Sequence, residues 1–224
     1  MKAKLVALLL LALGGSAMAT VTLNTQFGTA YSSTGTAVPD GTLWILVVDT
    51  NDNNLFGGGN MGLNSSLTAQ QANATFSIGQ ALSVGSTLGS DTIFAMGGFN
   101  GAGTGLGLGA TGNGLSGLSL GTNGLAAGLD FTFYYFPGVT YNSGGPNLVG
   151  TQVGGINRSG ADAGALLDGM VIPSDGAQTS PGAANSDFGG SVTNAQFTAV
   201  NLIPEPSTAL LGAIGALGLL RRRR

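Results

Sequence analysis

The run Asp49-Thr50-Asn51-Asp52-Asn53-Asn54 gathers six side chains that all carry oxygen. Hard cations such as calcium take carboxylate, amide and carbonyl oxygens. Asp49, Asn51 and Asn53 fall on alternate positions, as the first ligands of an EF-hand loop do. The rest of that loop is missing. Its sixth position is Asn54 where glycine is wanted, and its twelfth is Asn60 where a bidentate Glu is wanted. No helical pattern flanks it. Two readings stay open: a calcium site of Asp49, Asn51, Asp52, Asn53 and neighbouring carbonyls, or a polar turn that closes a buried strand.

Other chemistry has few side chains to work with. The chain has no Cys and no His, so thiol catalysis, thiolate metal sites and Ser-His-Asp catalysis are excluded. Between Thr20 and Leu202 there is no Lys, which excludes a Ser-Lys pair as well. A glycosidase needs two carboxyl groups, one with a raised pKa. Asp130 stands beside an aromatic run, yet no motif selects a partner for it. The GxGxxG-like fragment in "GTGLGLGATG" lacks a flanking βαβ unit and sits in a glycine-saturated tract. These observations predict a protein that is not an enzyme and needs no cofactor beyond that candidate calcium. The run "FTFYYF" offers flat rings of the kind that stack on sugars. On an alternating strand Phe131, Phe133 and Tyr135 share one face, and Tyr134 and Phe136 the other. A carbohydrate platform competes there with ordinary core packing. Trp44, inside an apolar run, reads as core.

The elements that must hold these residues are strands. Gly, Ser, Thr, Asn and Ala dominate, and strong helix formers with charged side chains are scarce. "TLWILVVDT" from Thr42 and "LDFTFYYFPGVTY" from Leu129 are β-branched or aromatic runs that meet turn chemistry, the second at Pro137-Gly138. Weaker strands are predicted at "TVTLNTQF", "DTIFAMGGF", "GALLDGMVI" and "NAQFTAVNL", and one short helix in "SLTAQQANATFSIG". From Gly97 to Gly128, thirteen of 32 residues are Gly and Leu recurs every few positions. A long loop is the preferred reading of that tract, against a β segment with Leu pointing inward. Spaced strands with Gly and Asn turns predict a mainly β fold, a single β-sandwich or jelly-roll-like domain over residues 20–202.

The two ends read as addresses rather than structure. "MKAKLVALLLLALGGSAMAT" has a basic start at Lys2 and Lys4, an apolar core from Leu5 to Leu13, and the small-x-small site Ala17-Met18-Ala19. This predicts a helical secretory signal over residues 1–19, cut by signal peptidase after Ala19. Six of the seven basic residues lie in the two ends. Residues 20–202 hold nine Asp against the single Arg158, a formal charge of −8. No basic patch is left to displace counterions from phosphates, which argues against a nucleic-acid partner.

At the other end, Ala209 to Leu220 is apolar for twelve residues and is followed by Arg221, Arg222, Arg223 and Arg224. As a helix that stretch is roughly 18 Å long, short against the roughly 20 residues that span comfortably. Snorkelling by Arg221 and an extra turn from Ser207 and Thr208 narrow the gap. The arginines face the cytoplasm by the positive-inside rule, which leaves the rest of the chain outside. Pro204 and Pro206 hold the preceding segment extended. Pro204-Glu205-Pro206, a short Gly/Ala/Leu helix and a terminal Arg cluster, in that order, resemble the PEP-CTERM sorting signal of exosortase-bearing Gram-negative bacteria. The resemblance covers residues 203–224. It implies recognition of Pro204, Glu205 and Pro206 by a membrane-embedded exosortase-type sorting enzyme, and membrane retention through the helix and Arg221–Arg224. It also implies transient residence in the inner membrane, then release to the cell surface or beyond, and an association with extracellular polysaccharide. A permanent C-terminal anchor is the competing reading of the tail. For the exported domain the reading is a structural or adhesive protein of the cell surface or extracellular matrix. A carbohydrate-binding module, calcium-assisted or not, is the alternative, and a secreted hydrolase the third choice.

Overall fold

A computed structural model of the chain describes residues 19–23, 29–51, 65–99, 115–157, 170–179 and 196–204. In chain order the elements are β1 (Thr20–Leu23), β2 (Thr29–Tyr31), β3 (Thr42–Val48), β4 (Ser65–Ser66), α1 (Ala69–Thr75), β5 (Ala81–Leu82), β6 (Thr87–Leu88) and β7 (Asp91–Gly98). Then follow β8 (Leu115–Ser119), β9 (Phe131–Thr140), β10 (Asn147–Leu148), β11 (Gln152–Asn157), β12 (Gln178–Thr179), β13 (Gln196–Thr198) and β14 (Val200–Asn201). The fold is mainly β, as the composition predicts. The expected N-terminal signal helix and C-terminal membrane helix lie outside the described residues. Among the described residues no helix is long and apolar enough to cross a membrane.

The central sheet runs β14-β11-β9-β3-β7-β6, with β4 also pairing β11, and every neighbouring pair is antiparallel. Its middle strand explains the run Thr42–Val48: all seven residues are buried. A strand covered on both faces needs apolar side chains at every position, so alternation disappears. On one face Trp44, Leu46 and Val48 join Phe94, Phe131, Phe133 and Tyr135, and the sheet β12-β1-β8 closes over them with Val21, Leu23, Leu115 and Leu118. On the other, Leu43, Ile45, Val47, Tyr134 and Phe136 pack under Ala72 of α1, Phe76, Leu82 of β5, Val149 and Leu202. A bulge in β7 puts Phe94 between the partners of Leu46 and Val47.

Helix α1 forms where the sequence predicts one. Thr68 and Gln71 make a reciprocal capping box: the Gln71 N–H donates to Thr68 Oγ1 (3.3 Å), and the Thr68 N–H to Gln71 Oε1 (2.9 Å). Two sequence-based expectations need correction. Strand β9 does not stop at Pro137-Gly138 but runs on to Thr140. Between the pairs Trp44–Tyr135 and Thr42–Thr140, β9 spends five residues where β3 spends two. A wide bulge of this kind tolerates a proline, which has no N–H to give, and Gly138 takes the left-handed φ of +79°. Within the glycine-rich tract Gly97-Gly98 end β7, and Leu115–Ser119 form β8, antiparallel to β1. There Leu115 and Leu118 do point inward, while residues 100–114 lie outside the described residues. Of the predicted strand "GALLDGMVI" all but Met170-Val171-Ile172 lies outside the described residues, and Val171 bridges to Asp130.

Candidate functional site

Three places in the fold bear on function: the acidic end of the central sheet, the aromatic interior, and the point where the tail leaves.

At the acidic end, Asp49 follows β3, Asp91 opens β7, and Asp130 precedes β9. Their strands are neighbours: Val48 pairs with Thr92 and with Phe131, and the Asp49 N–H donates to the Asp130 carbonyl (2.9 Å). Asp49 and Asp91 are fully buried. The Asp91 carboxylate accepts from Ser90 Oγ (3.3 Å). Of the candidate calcium ligands, Asp49 is buried, Asn51 is exposed in the turn, and Asp52 and Asn53 lie outside the described residues. Among the described residues no three acidic side chains converge in a way that would hold a metal ion.

The aromatic run fills the interior. Phe131, Phe133 and Tyr135 take one face and Tyr134 and Phe136 the other, as alternation predicts, and all five are buried. No ring of "FTFYYF" is open to a sugar, so that platform is excluded. The cause is the second layer on each face, which the sequence of the strand alone does not reveal. Trp44 is core, as expected. Rings of this size need space across the sheet, and glycines supply it. Trp44 pairs with Gly97, where a Cβ would come 2.5 Å from the indole. Tyr135 and Tyr134 pair with Gly154 and Gly155 of β11 and lie across them. The Tyr135 hydroxyl donates to the Tyr31 carbonyl (3.0 Å). Burial, and secondarily the charge of Asp91, push the Tyr134 phenol far above its usual pKa. Burial does the same to Tyr135, opposed by its bond to Tyr31. Both phenols are locked in the neutral form, which suits packing and not acid–base work.

One cleft of about 440 Å³ opens beside the β5–β10 ribbon. Half-buried Tyr141 lines it with Ser83, Val84, Asn142, Ser143 and Pro146, and none of its lining side chains is charged.

The tail exit is tied down by two contacts. Leu202 is buried, and its N–H donates to the Thr151 carbonyl (2.9 Å). The next N–H, that of Ile203, donates to Asn73 Oδ1 of α1 (2.6 Å), while Asn73 Nδ2 donates to the Ala69 carbonyl (2.7 Å). Ile203 itself is 71 % exposed and Pro204 is exposed. The Asn73 contact spans 130 residues of sequence and has no local signature by which it could be anticipated. Glu205, Pro206 and Arg221–Arg224 lie outside the described residues, as does Ala17. At the other terminus Ala19 is half-buried, its carbonyl accepting from the Leu120 N–H (2.8 Å), and the Thr20 N–H donates to Asp175 Oδ1 (3.1 Å). The predicted signal-peptidase bond therefore falls where β1 begins.

The last strand of this mainly β unit leads to an exposed Pro204, the first residue of the Pro204-Glu205-Pro206 segment. The family model for the PEP-CTERM protein-sorting motif matches residues 202–224, and the chain carries that motif as its C-terminal tail. The motif implies export, a membrane-associated sorting tail, and an exosortase as processing partner. No curated protein and no solved structure matches the chain.

Proposed function

We propose that this chain is an exported structural or adhesive protein of the bacterial cell surface or extracellular matrix, without catalytic activity, whose residues 20–202 are the delivered domain. The observation that carries the reading is the placement of the sorting motif: its first matched residue, Leu202, is still buried in the core, and the next two described residues, Ile203 and Pro204, are exposed. The domain supports a passive role. The rings of "FTFYYF" are spent on the interior, and Tyr134 and Tyr135 are held neutral there. The small sheet β12-β1-β8 shares a core with one face of the central sheet, a layering that supports the sandwich-like reading. In this reading signal peptidase cuts after Ala19, the tail holds the precursor in the inner membrane through Arg221–Arg224, and exosortase acts at Pro204-Glu205-Pro206. Each Arg costs roughly 2.5–3.5 kcal/mol at the bilayer centre, so four form a firm stop. Replacing Arg221–Arg224 with Ser should release uncut protein into the medium. Changing Pro204-Glu205-Pro206 to Ala should leave an uncut membrane-bound precursor. Normal cutting of the triple-Ala protein would refute the reading.

Carbohydrate binding is the second reading, now resting on the Tyr141 cleft rather than on "FTFYYF". A half-exposed ring with hydroxyl and amide neighbours and no charge suits a neutral sugar, and a volume of about 440 Å³ lies in the range of small-ligand sites. Retention on a neutral polysaccharide gel that Tyr141→Ala abolishes would favour it, and elution in the void volume would dismiss it.

A further inference from the structure

The exit geometry constrains how the tail can be grasped. Leu202 sits in the core and the Ile203 N–H is held by Asn73, so the domain and the motif have no spacer between them. Glu205 is two residues beyond Ile203, at most about 7 Å along an extended chain. The apolar stretch begins at Ala209, six residues beyond Ile203, at most about 20 Å. An enzyme embedded in the membrane that clasps Pro204–Pro206 must therefore touch the domain around the exit.

That surroundings are chemically distinctive. Helix α1 reads Ala-Gln-Gln-Ala-Asn-Ala-Thr, β14 reads Val-Asn, and the strand entry beside them is Thr151-Gln152. None of these residues is charged, in a domain with nine Asp and one Arg. The acids of the central sheet lie far along it: Val153 of β11, beside the exit, pairs with Val200, whereas buried Asp49 and Asp91 and half-buried Asp130 mark the opposite end of the strands. Ala69, Gln70, Ala74, Thr151 and Asn201 are exposed.

We propose that this uncharged surface around Ile203, made by α1, β14 and Thr151–Gln152, is the face on which the sorting enzyme rests while it holds Pro204–Pro206. The proposal rests on the sorting reading above and adds the domain's own docking surface to it. Asn73 is a positioning residue in this arrangement: it fixes the direction in which the motif leaves.

The test places two carboxylates on the face of the full chain with Gln70→Glu and Ala74→Glu together. The control places the same two charges at the far end with Ala126→Glu and Ala127→Glu, both exposed there. Pulse-chase in cells that carry an exosortase reads the precursor half-life, and thermal melting confirms that each variant folds. We expect the exit-face pair to lengthen the half-life about tenfold, because unmatched charge at a contact face costs association, and the control to leave it unchanged. A Gly/Ser spacer of about ten residues between Ile203 and Pro204, adding roughly 17 Å of mean reach, should restore normal processing. The penalty should persist with purified enzyme in neutral detergent micelles. Equal half-lives for the exit-face and control pairs would overturn the proposal, as would failure of the spacer to rescue. Disappearance of the penalty in micelles would overturn it too, by assigning the face to the anionic bilayer. A wild-type chain that is never cut would refute the sorting reading itself, a result distinct from any of these.

Discussion

Replacing Gly154 with Ala tests the idea that glycines in β11 exist to accommodate the central rings. A Cβ at Gly154 would land on Cζ, Cε1 and Oη of Tyr135. The ring has nowhere to retreat. It is fully buried, stacked with Phe133 (5.9 Å), edge-on to Phe99 (6.0 Å), and tied through its hydroxyl to the Tyr31 carbonyl (3.0 Å). Forcing one extra carbon into such a core costs about 1–3 kcal/mol. Displacing the hydroxyl forfeits its bond, about 1 kcal/mol more. The expected loss is about 2–4 kcal/mol, read from the urea midpoint at unchanged slope. Gly144→Ala is the matched control, because its Cβ would meet only Asn142 Oδ1 at 4.0 Å and its φ is not left-handed. It should fall within about 0.5 kcal/mol of wild type. A double replacement, Gly154→Ala with Tyr135→Val, should cost less than the sum of the single changes, since removal of the ring removes the collision. If Gly154→Ala is as harmless as Gly144→Ala, the ring-over-glycine argument is wrong.

Alkaline pH should unfold the domain early: Tyr134 and Tyr135 stay protonated when folded and ionise near pH 10 when unfolded, so stability is intact below pH 10 and falls above it, by about 2.7 kcal/mol per pH unit for the two together. Denaturant titrations between pH 9 and pH 12 check this, and a flat profile would contradict the burial of both phenols. In a mature protein beginning at Thr20, the new α-ammonium should pair with Asp175, which already accepts from the Thr20 nitrogen at 3.1 Å. Asp175→Asn should then lower stability by up to about 1 kcal/mol at low salt and less at high salt, and a loss that ignores salt would reject the pair. If Asp49 and Asp52 hold calcium, millimolar calcium raises the melting temperature over chelator by mass action, and Asp49→Ala with Asp52→Ala removes the difference; superimposable wild-type curves dismiss the site.

What the sequence makes legible follows from how local each cause is. Strands β3 and β9 are readable because burial on both faces writes itself as nearly continuous apolar runs, Leu43–Val48 and Phe131–Phe136 with Thr132 inside it. Helix α1 is readable because its cap, Thr68 to Gln71, is three residues long. Pro137-Gly138 misleads because the same dipeptide serves a turn and a wide bulge, and only the register against β3 separates them. Leu115–Ser119 misleads because glycine content suggests a loop, whereas its pairing partner, β1, lies about a hundred residues upstream in the chain. The sorting motif is legible as a string, since its enzyme reads a linear segment. Its anchorage is not: Asn73 is an ordinary polar helix residue until the fold brings Ile203 to it. The rejected sugar platform shows the same limit, because alternation assigns Tyr134 and Tyr135 to faces without saying that both faces are covered.

The central claim, that the tail is a sorting device and not an anchor, is tested most directly by intact-mass analysis of the protein recovered from the cell surface and medium. The account predicts a chain that starts at Thr20 and ends close to Pro204-Glu205-Pro206, without Leu220 and Arg221–Arg224. Surface protein that still carries Leu220 and the four arginines would contradict it.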